Sequence, residues 1–326
     1  MSAIPSGATW VRLPRLLGDV AMQLPVLRAL RRLQETPLVV WGPAAMVGLV
    51  EGTDLADAVL PDEGKPGPGQ MASILKRHRA ARSVHFPKSL RPAFGAFLAR
   101  VPERIGPSDG LGRLLNTHAA PFRGAPGHFL DRYAHALASR WPELGRLPWA
   151  GFKPGARIER PARPYLCLVP GAGTPAKIWE ASHFRALAAM AEAKGLLIVA
   201  LGSAPERELG AFVAGSSGLN LCGSTSLPEA AAWLAGAAGA LGNDSGLCHL
   251  AAACGTSVLT LFGATDPLAS APYGPRAQFL RREGVPCSPC MAKVCVVDGH
   301  PCLSGLSPET VWSRLEPMLE ADTCAS

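Results

Sequence analysis

The chain has 326 residues, of which 48% are hydrophobic and 17% charged, and a net charge of +7. That composition supplies two buried cores and argues against disorder. No apolar run approaches the roughly 18 residues of a membrane-spanning helix, and Met1 to Gly7 lack the basic-then-apolar pattern of a signal peptide, so a cytosolic protein is expected. The charge is uneven, at +11 over residues 1–163 and −4 over residues 164–326. The basic half suits an anionic partner: nucleic acid, an anionic membrane surface or a phosphorylated substrate. Arg used simply as a solubilising residue is the plainer alternative.

Thr9 to Leu13 reads as a strand, and Val20 to Leu33 as a helix, its apolar residues near helical spacing. Further strands are expected at Pro37–Trp41, Asp57–Pro61 and Arg82–Pro87, with helices around 43–50, 69–81 and 88–99. The Pro- and Gly-rich stretch 148–164 reads as a linker. Alternation then restarts, with strands at Tyr165–Pro170, Leu196–Gly202, Gly239–Gly242 and Ser257–Gly263. Between them fall a helix capped by Ser182 that stops at Gly195, an Ala-rich helix from Leu227 to Ala237, and a helical segment His249–Ala253 closed by Gly255. A last helix runs from Pro308 to Leu319 behind Ser307. Such alternation implies two parallel sheets covered by helices, in domains 1–155 and 156–326, the last helix returning to the first domain.

Parallel sheets receive ligands at the carboxyl ends of their strands. Asp244-Ser245-Gly246 stands there, where Asp244 or Ser245 can cap the next helix and where free N–H groups and the helix dipole favour a phosphate. His249 lies one turn on. An ordinary capped helix with a buried His fits this segment equally well. The loop 170–179 carries Gly171, Gly173, Thr174 and Lys177, a tight turn followed by a mobile cation. Lys177 alone would read as a surface residue, and Trp179 as packing. Asp19 opens a helix after the first strand, where it reads as an N-terminal cap. Cys287, Cys290, Cys295 and Cys302 have spacing compatible with structural zinc or iron, but free thiols or labile disulfides fit as well. Their surroundings are neither basic nor aromatic enough for a nucleic-acid ribbon, and no nucleic-acid partner is expected. The other cysteines, Cys167, Cys222, Cys248, Cys254 and Cys324, read as small buried hydrophobes.

The run from Asn243 to Pro267, with Asp244-Ser245-Gly246, His249, the Ala251–Ala253 triplet, Gly255, and then Phe262-Gly263 and Thr265-Asp266-Pro267, closely resembles the signature of glycosyltransferase family 9, the ADP-heptose:lipopolysaccharide heptosyltransferases. Pro170-Gly171-Ala172 with Lys177 and Trp179, and Arg12 with Gly18-Asp19 and Pro25, resemble two further family segments. The resemblance implies a GT-B fold, two Rossmann-like doubly wound α/β domains facing a central cleft. It implies an inverting, metal-independent transfer of heptose from ADP-heptose to a lipopolysaccharide inner-core acceptor. Asp19 would be the base. Gly173, Thr174, Lys177, Glu206, Asp244, Ser245, Gly246 and His249 would hold the donor, Lys177 meeting the charge of the leaving ADP. Gly263 and Thr265 would line the same crevice. Arg12 and Arg15 are acceptor-phosphate candidates. Similar cysteines occur in the family without serving a catalytic metal. A lipid-linked anionic glycan as acceptor implies work at the inner membrane surface. Another sugar, a protein or other glycan acceptor, or a catalytically inactive nucleotide-binding protein are the competing readings.

Overall fold

The computed structural model describes residues 4–323 except 34, 87, 88, 124, 126, 146–148 and 150. The chain divides into two compact units, residues 1–150 and 151–326. Pro87, Lys88 and Cys324 lie outside the described residues.

In the first unit, β1 (Thr9–Arg12), α1 (Leu17–Leu33), β2 (Leu38–Gly42), α2 (Ala44–Gly48), β3 (Ala58–Pro61), α3 (Pro68–Arg77) and β4 (Arg82–His85) follow one another. Then come α4 (Arg91–Leu98), β5 (Glu103–Pro107), α5 (Gly112–Leu115), β6 (His118–Ala120) and α6 (Phe129–Ala138). The six strands form one sheet in the order β3-β2-β1-β4-β5-β6, and every pairing is parallel. β1 and β2 are buried along their whole length, as a parallel sheet covered on both faces requires. Trp10 and Trp41 meet edge to face at 5.6 Å in a core shared with Met71, Leu75 and Ala96.

The second unit repeats the plan with β7 (Tyr165–Val169), α7 (Ala181–Ala193), β8 (Leu197–Ala200), α8 (Arg207–Ala214), β9 (Leu219–Asn220) and α9 (Leu227–Ala235). It continues with β10 (Gly239–Asn243), α10 (Gly246–Cys254), β11 (Val258–Phe262), α11 (Pro267–Ser270), β12 (Ala277–Arg281), α12 (Pro301–Ser304) and α13 (Pro308–Thr323). Its sheet, β12-β11-β10-β7-β8-β9, is again wholly parallel. In both sheets the strand order reverses between the unit's first and fourth strands, β1 and β4 or β7 and β10, and such a switch point opens a crevice at the strand ends. Gly255 ends α10 with φ 84°, a left-handed position that suits glycine. Gly242 has no room for a side chain: a Cβ there would stand 2.7 Å from Val169 Cβ and from Cys248 Sγ.

Two expectations need adjustment. The N-cap of α7 is Glu180; Ser182 falls in the first turn, because the helix begins directly after the buried Trp179. α10 begins at Gly246, three residues before His249, with Ser245 as its N-cap, so His249 lies within the first turn rather than at the helix start. α13 packs against α7 and β10 of its own unit, its apolar face completing that unit's core.

Candidate active site

In the second unit, the loops after β7 and β10 flank the switch point. Asp244 directly follows β10 and is buried. Lys177 donates to it at 2.6 Å, from a 3-10 turn spanning Pro175–Lys177, and Thr265 Oγ1 donates to the same oxygen at 2.6 Å. His249 Nε2 stands 3.7 Å from the other oxygen, too far for a good hydrogen bond. Burial opposes a charge on Asp244, but the His249 ring and the Lys177 ammonium outweigh it and hold the carboxyl well below its usual range. The buried Nδ1 of His249 has no hydrogen-bond partner among the described residues.

Asn243 pins the two loops together. Fully buried, it accepts from the Trp179 N–H at 3.0 Å and donates to the Pro170 carbonyl at 2.7 Å. Trp179 is itself a packing residue, its indole N–H satisfied by the Leu306 carbonyl. Ser245 occupies the N-cap of α10, but its side chain makes no capping bond. Among the described residues, the first-turn N–H groups, including that of Gly246, therefore lack a side-chain acceptor, and such groups receive anions well.

Glu206 lies after β8. Its Oε2 accepts from the Ser203 N–H and hydroxyl. A Cβ on Gly171 would meet its Oε1 at 1.6 Å, so only glycine lets the carboxylate cross to the neighbouring strand end. Gly173 opens onto free space, and Thr174 caps the turn that carries Lys177 without a side-chain bond.

The four C-terminal cysteines are free thiols, Cys287 and Cys290 exposed and Cys302 buried. Cys302 belongs to the core, and burial first, then its neighbours Cys295 and Cys287, push its thiol up. Among the described residues, no three or more His, Cys, Asp or Glu side chains gather into a metal-holding group. The structural zinc or iron left open by the spacing thus finds no assembled ligand set. The segment instead braces the loops that carry Lys177 and Thr265: Ala176 N–H donates to the Lys293 carbonyl, Met291 N–H to that of Ala264, and Ser288 Oγ to that of Gly263. His300 Nε2 lies 3.0 Å from the Ala176 carbonyl.

In the first unit, Asp19 sits in the first turn of α1, where the helix dipole favours a carboxylate. It is only 5% exposed and lines a pocket of about 190 Å³ at the switch point, shared with Arg15, Phe86, Ser89, Arg91 and Pro92. Tyr133 on α6 donates its hydroxyl to Asp19 at 3.1 Å. Burial, then the Asp19 charge, pushes the phenol up, so it remains a donor. Sequence reasoning missed Tyr133, which lies 114 residues from its partner. Arg12 gives both terminal nitrogens to Asp62, at 2.7 and 2.5 Å, and lies over the Trp41 ring. Arg15 is exposed and bonds the Gly64 carbonyl.

Two doubly wound parallel units, each with candidate side chains at a sheet switch point, make an α/β architecture of the GT-B type. Residues 147–300 match the family model of glycosyltransferase family 9 (heptosyltransferase). Lipopolysaccharide heptosyltransferase 1 of Pseudomonas aeruginosa is 34% identical over 177 residues, covering 49% of this chain and 50% of that protein. The match therefore spans half the length of that relative. Lipopolysaccharide heptosyltransferase 2 of Escherichia coli is 25% identical over 315 residues, 86% of this chain and 88% of that protein. The structure of E. coli ADP-heptose lps heptosyltransferase II superposes with a TM-score of 0.81 at 23% identity, over 97% of this chain and 99% of the other. Over these spans the chain is similar to members of glycosyltransferase family 9.

Proposed function

We propose that the chain is an inverting, metal-independent heptosyltransferase that moves heptose from ADP-heptose to a lipopolysaccharide inner-core acceptor. The observation that carries this reading is the Lys177–Asp244–Thr265 constellation beside the uncapped start of α10. It offers a fixed cation and backbone donors where a diphosphate would sit. The sugar and the acceptor come from what the relatives are named for; the geometry speaks for the diphosphate.

In this mechanism, Asp19 takes the proton of the acceptor hydroxyl as that oxygen attacks the anomeric carbon. The bond from that carbon to the diphosphate oxygen breaks on the opposite face, and the configuration inverts. The electron pair leaves with ADP, whose growing charge meets Lys177 and the N–H groups of α10. Tyr133 holds Asp19 in place, and Arg15 and Arg91 line its pocket. The enzyme works on the cytoplasmic side, peripheral to the inner membrane where a lipid-borne acceptor resides.

The test is ADP release from ADP-heptose with a Kdo–lipid A acceptor in the presence of a chelator. Turnover is expected with the wild type and lost with Asp19→Ala, which should still bind ADP. Absence of turnover with any Kdo–lipid A acceptor removes the donor and acceptor assignment. Turnover retained in Asp19→Ala removes the base, and turnover abolished by the chelator removes metal independence.

A further inference from the structure

Helix α4 is apolar on every side. It buries Pro92, Ala93, Gly95 and Ala96 but also presents Phe94, Phe97 and Leu98 to solvent, from 40% exposed at Leu98 to 45% at Phe97. Leu90 precedes it, and the adjoining α5 adds Leu111 and Leu114, the latter 72% exposed. Phe94 and Phe97 stack on each other rather than folding under the helix. A helix of this kind is normally covered on all sides or meets a nonaqueous phase.

The surrounding charge states what covers it. Residues 68–123 carry ten Lys and Arg against two acids, Glu103 and Asp109. Both acids are used internally: Glu103 pairs with Arg82 and Arg140, and Asp109 accepts the N–H groups of Phe122 and Arg123. Lys76, Arg77, Arg100, Arg113 and Arg123 are exposed. Lys76, Arg100 and Arg104 share one groove with Phe97 and Leu98, so cations and apolar side chains alternate at a single site.

We infer that the α4–α5 face docks onto an anionic lipid bilayer, with Phe94, Phe97, Leu98 and Leu114 entering the acyl boundary and the basic residues meeting the headgroups. Apolar insertion flanked by Lys and Arg is the chemistry of an interfacial helix on anionic lipid. A second copy of the chain is disfavoured, because the same dense positive field would face itself. The inference deepens the proposed function and rests on it for its purpose. Arg91 and Pro92 of α4 also line the Asp19 pocket, so a bilayer on this face lies beside the place where a lipid-borne acceptor would react.

The experiment is sedimentation of the full chain with vesicles of equimolar phosphatidylglycerol and phosphatidylcholine, against phosphatidylcholine alone. Anionic vesicles should bind the wild type at least about tenfold more strongly, and 0.5 M salt should reverse much of this. Phe94→Ser/Phe97→Ser and, separately, Arg100→Gln/Arg113→Gln should each lose about tenfold in binding with an unchanged circular dichroism spectrum. Both variants should keep turnover on a short, water-soluble acceptor. The inference is overturned if wild type ignores anionic vesicles. It is equally overturned if both folded variants bind as wild type does, or if Phe94→Ser/Phe97→Ser converts a dimer to a monomer without touching vesicle binding. No sugar donor enters the vesicle measurement, so its failure is separable from failure of heptosyl transfer.

Discussion

Replacing Lys177 by Met leaves the Asp244 carboxylate buried beside an apolar side chain. Removing one partner of a fully buried ion pair costs about 3–5 kcal/mol. Here the Lys177 side chain is 24% exposed, against 7% for Asp244, and Thr265 and His249 remain at the carboxylate. The expected loss is therefore smaller, about 2 kcal/mol at pH 7. Asp244 is held below the usual carboxylate range, so it stabilises the fold above about pH 4, and that contribution is lost as pH falls through its folded value. The variant carboxyl takes a proton more readily, so the gap between wild type and Lys177→Met should narrow below about pH 4. Urea unfolding at pH 7 and pH 4 measures both effects, and calorimetric titration with ADP should show affinity down by more than about tenfold, the loss of a charge-assisted contact. Lys177→Met/Asp244→Asn should be more stable than Lys177→Met alone, because it buries no unpaired charge. Stability within about 0.5 kcal/mol of wild type together with unchanged ADP affinity in Lys177→Met would refute the reasoning, as would a double variant no better than the single.

Tyr133→Phe removes the hydroxyl that holds Asp19 and should lower kcat by about tenfold, with KM nearly unchanged; steady-state kinetics reporting a change confined to KM would contradict the positioning role. His85 is wholly buried, and burial chiefly, with Arg104 adding and Asn116 opposing, lowers its pKa to about 4. Its contribution is complete above about pH 6.5 and falls away between there and pH 4, by about 3 kcal/mol. A His85→Asn chain should show a flatter acid limb in pH-dependent urea unfolding, and an identical limb would exclude the assignment.

The inner strands other than β5 were legible because each is a short run of apolar residues near Pro or Gly, as in Leu197–Ala200 and Val258–Phe262. Of the edge strands, β3 was legible as Asp57–Pro61, but β6, β9 and β12 were not. β12 is only half-buried along its length, and β9 has two residues, so neither carries a hydrophobic run. The region from 100 to 145 hid β5, β6 and α6, and with them Tyr133. The family resemblance pointed to Lys177, Asp244 and His249, which residue types and spacing alone left open and which the fold does bring together. What spacing could not reveal was pairing. Arg12 reads as a free cation until β3 delivers Asp62 from fifty residues away. Asp244 reads as a helix cap until Lys177 and Thr265 arrive from two other loops.

The segment from Ser288 to His300 has almost no regular structure, yet it ties down Ala176, Gly263 and Ala264. Two of those ties, Ala176 to Lys293 and Met291 to Ala264, run from main chain to main chain, so they are indifferent to which side chains the segment carries. Apart from Ser288 and His300, whose side chains make the other two ties, its side chains can therefore change while the loops keep their shape. The constraint is on the path of the chain, and an insertion or deletion there would disturb the loops more than most substitutions.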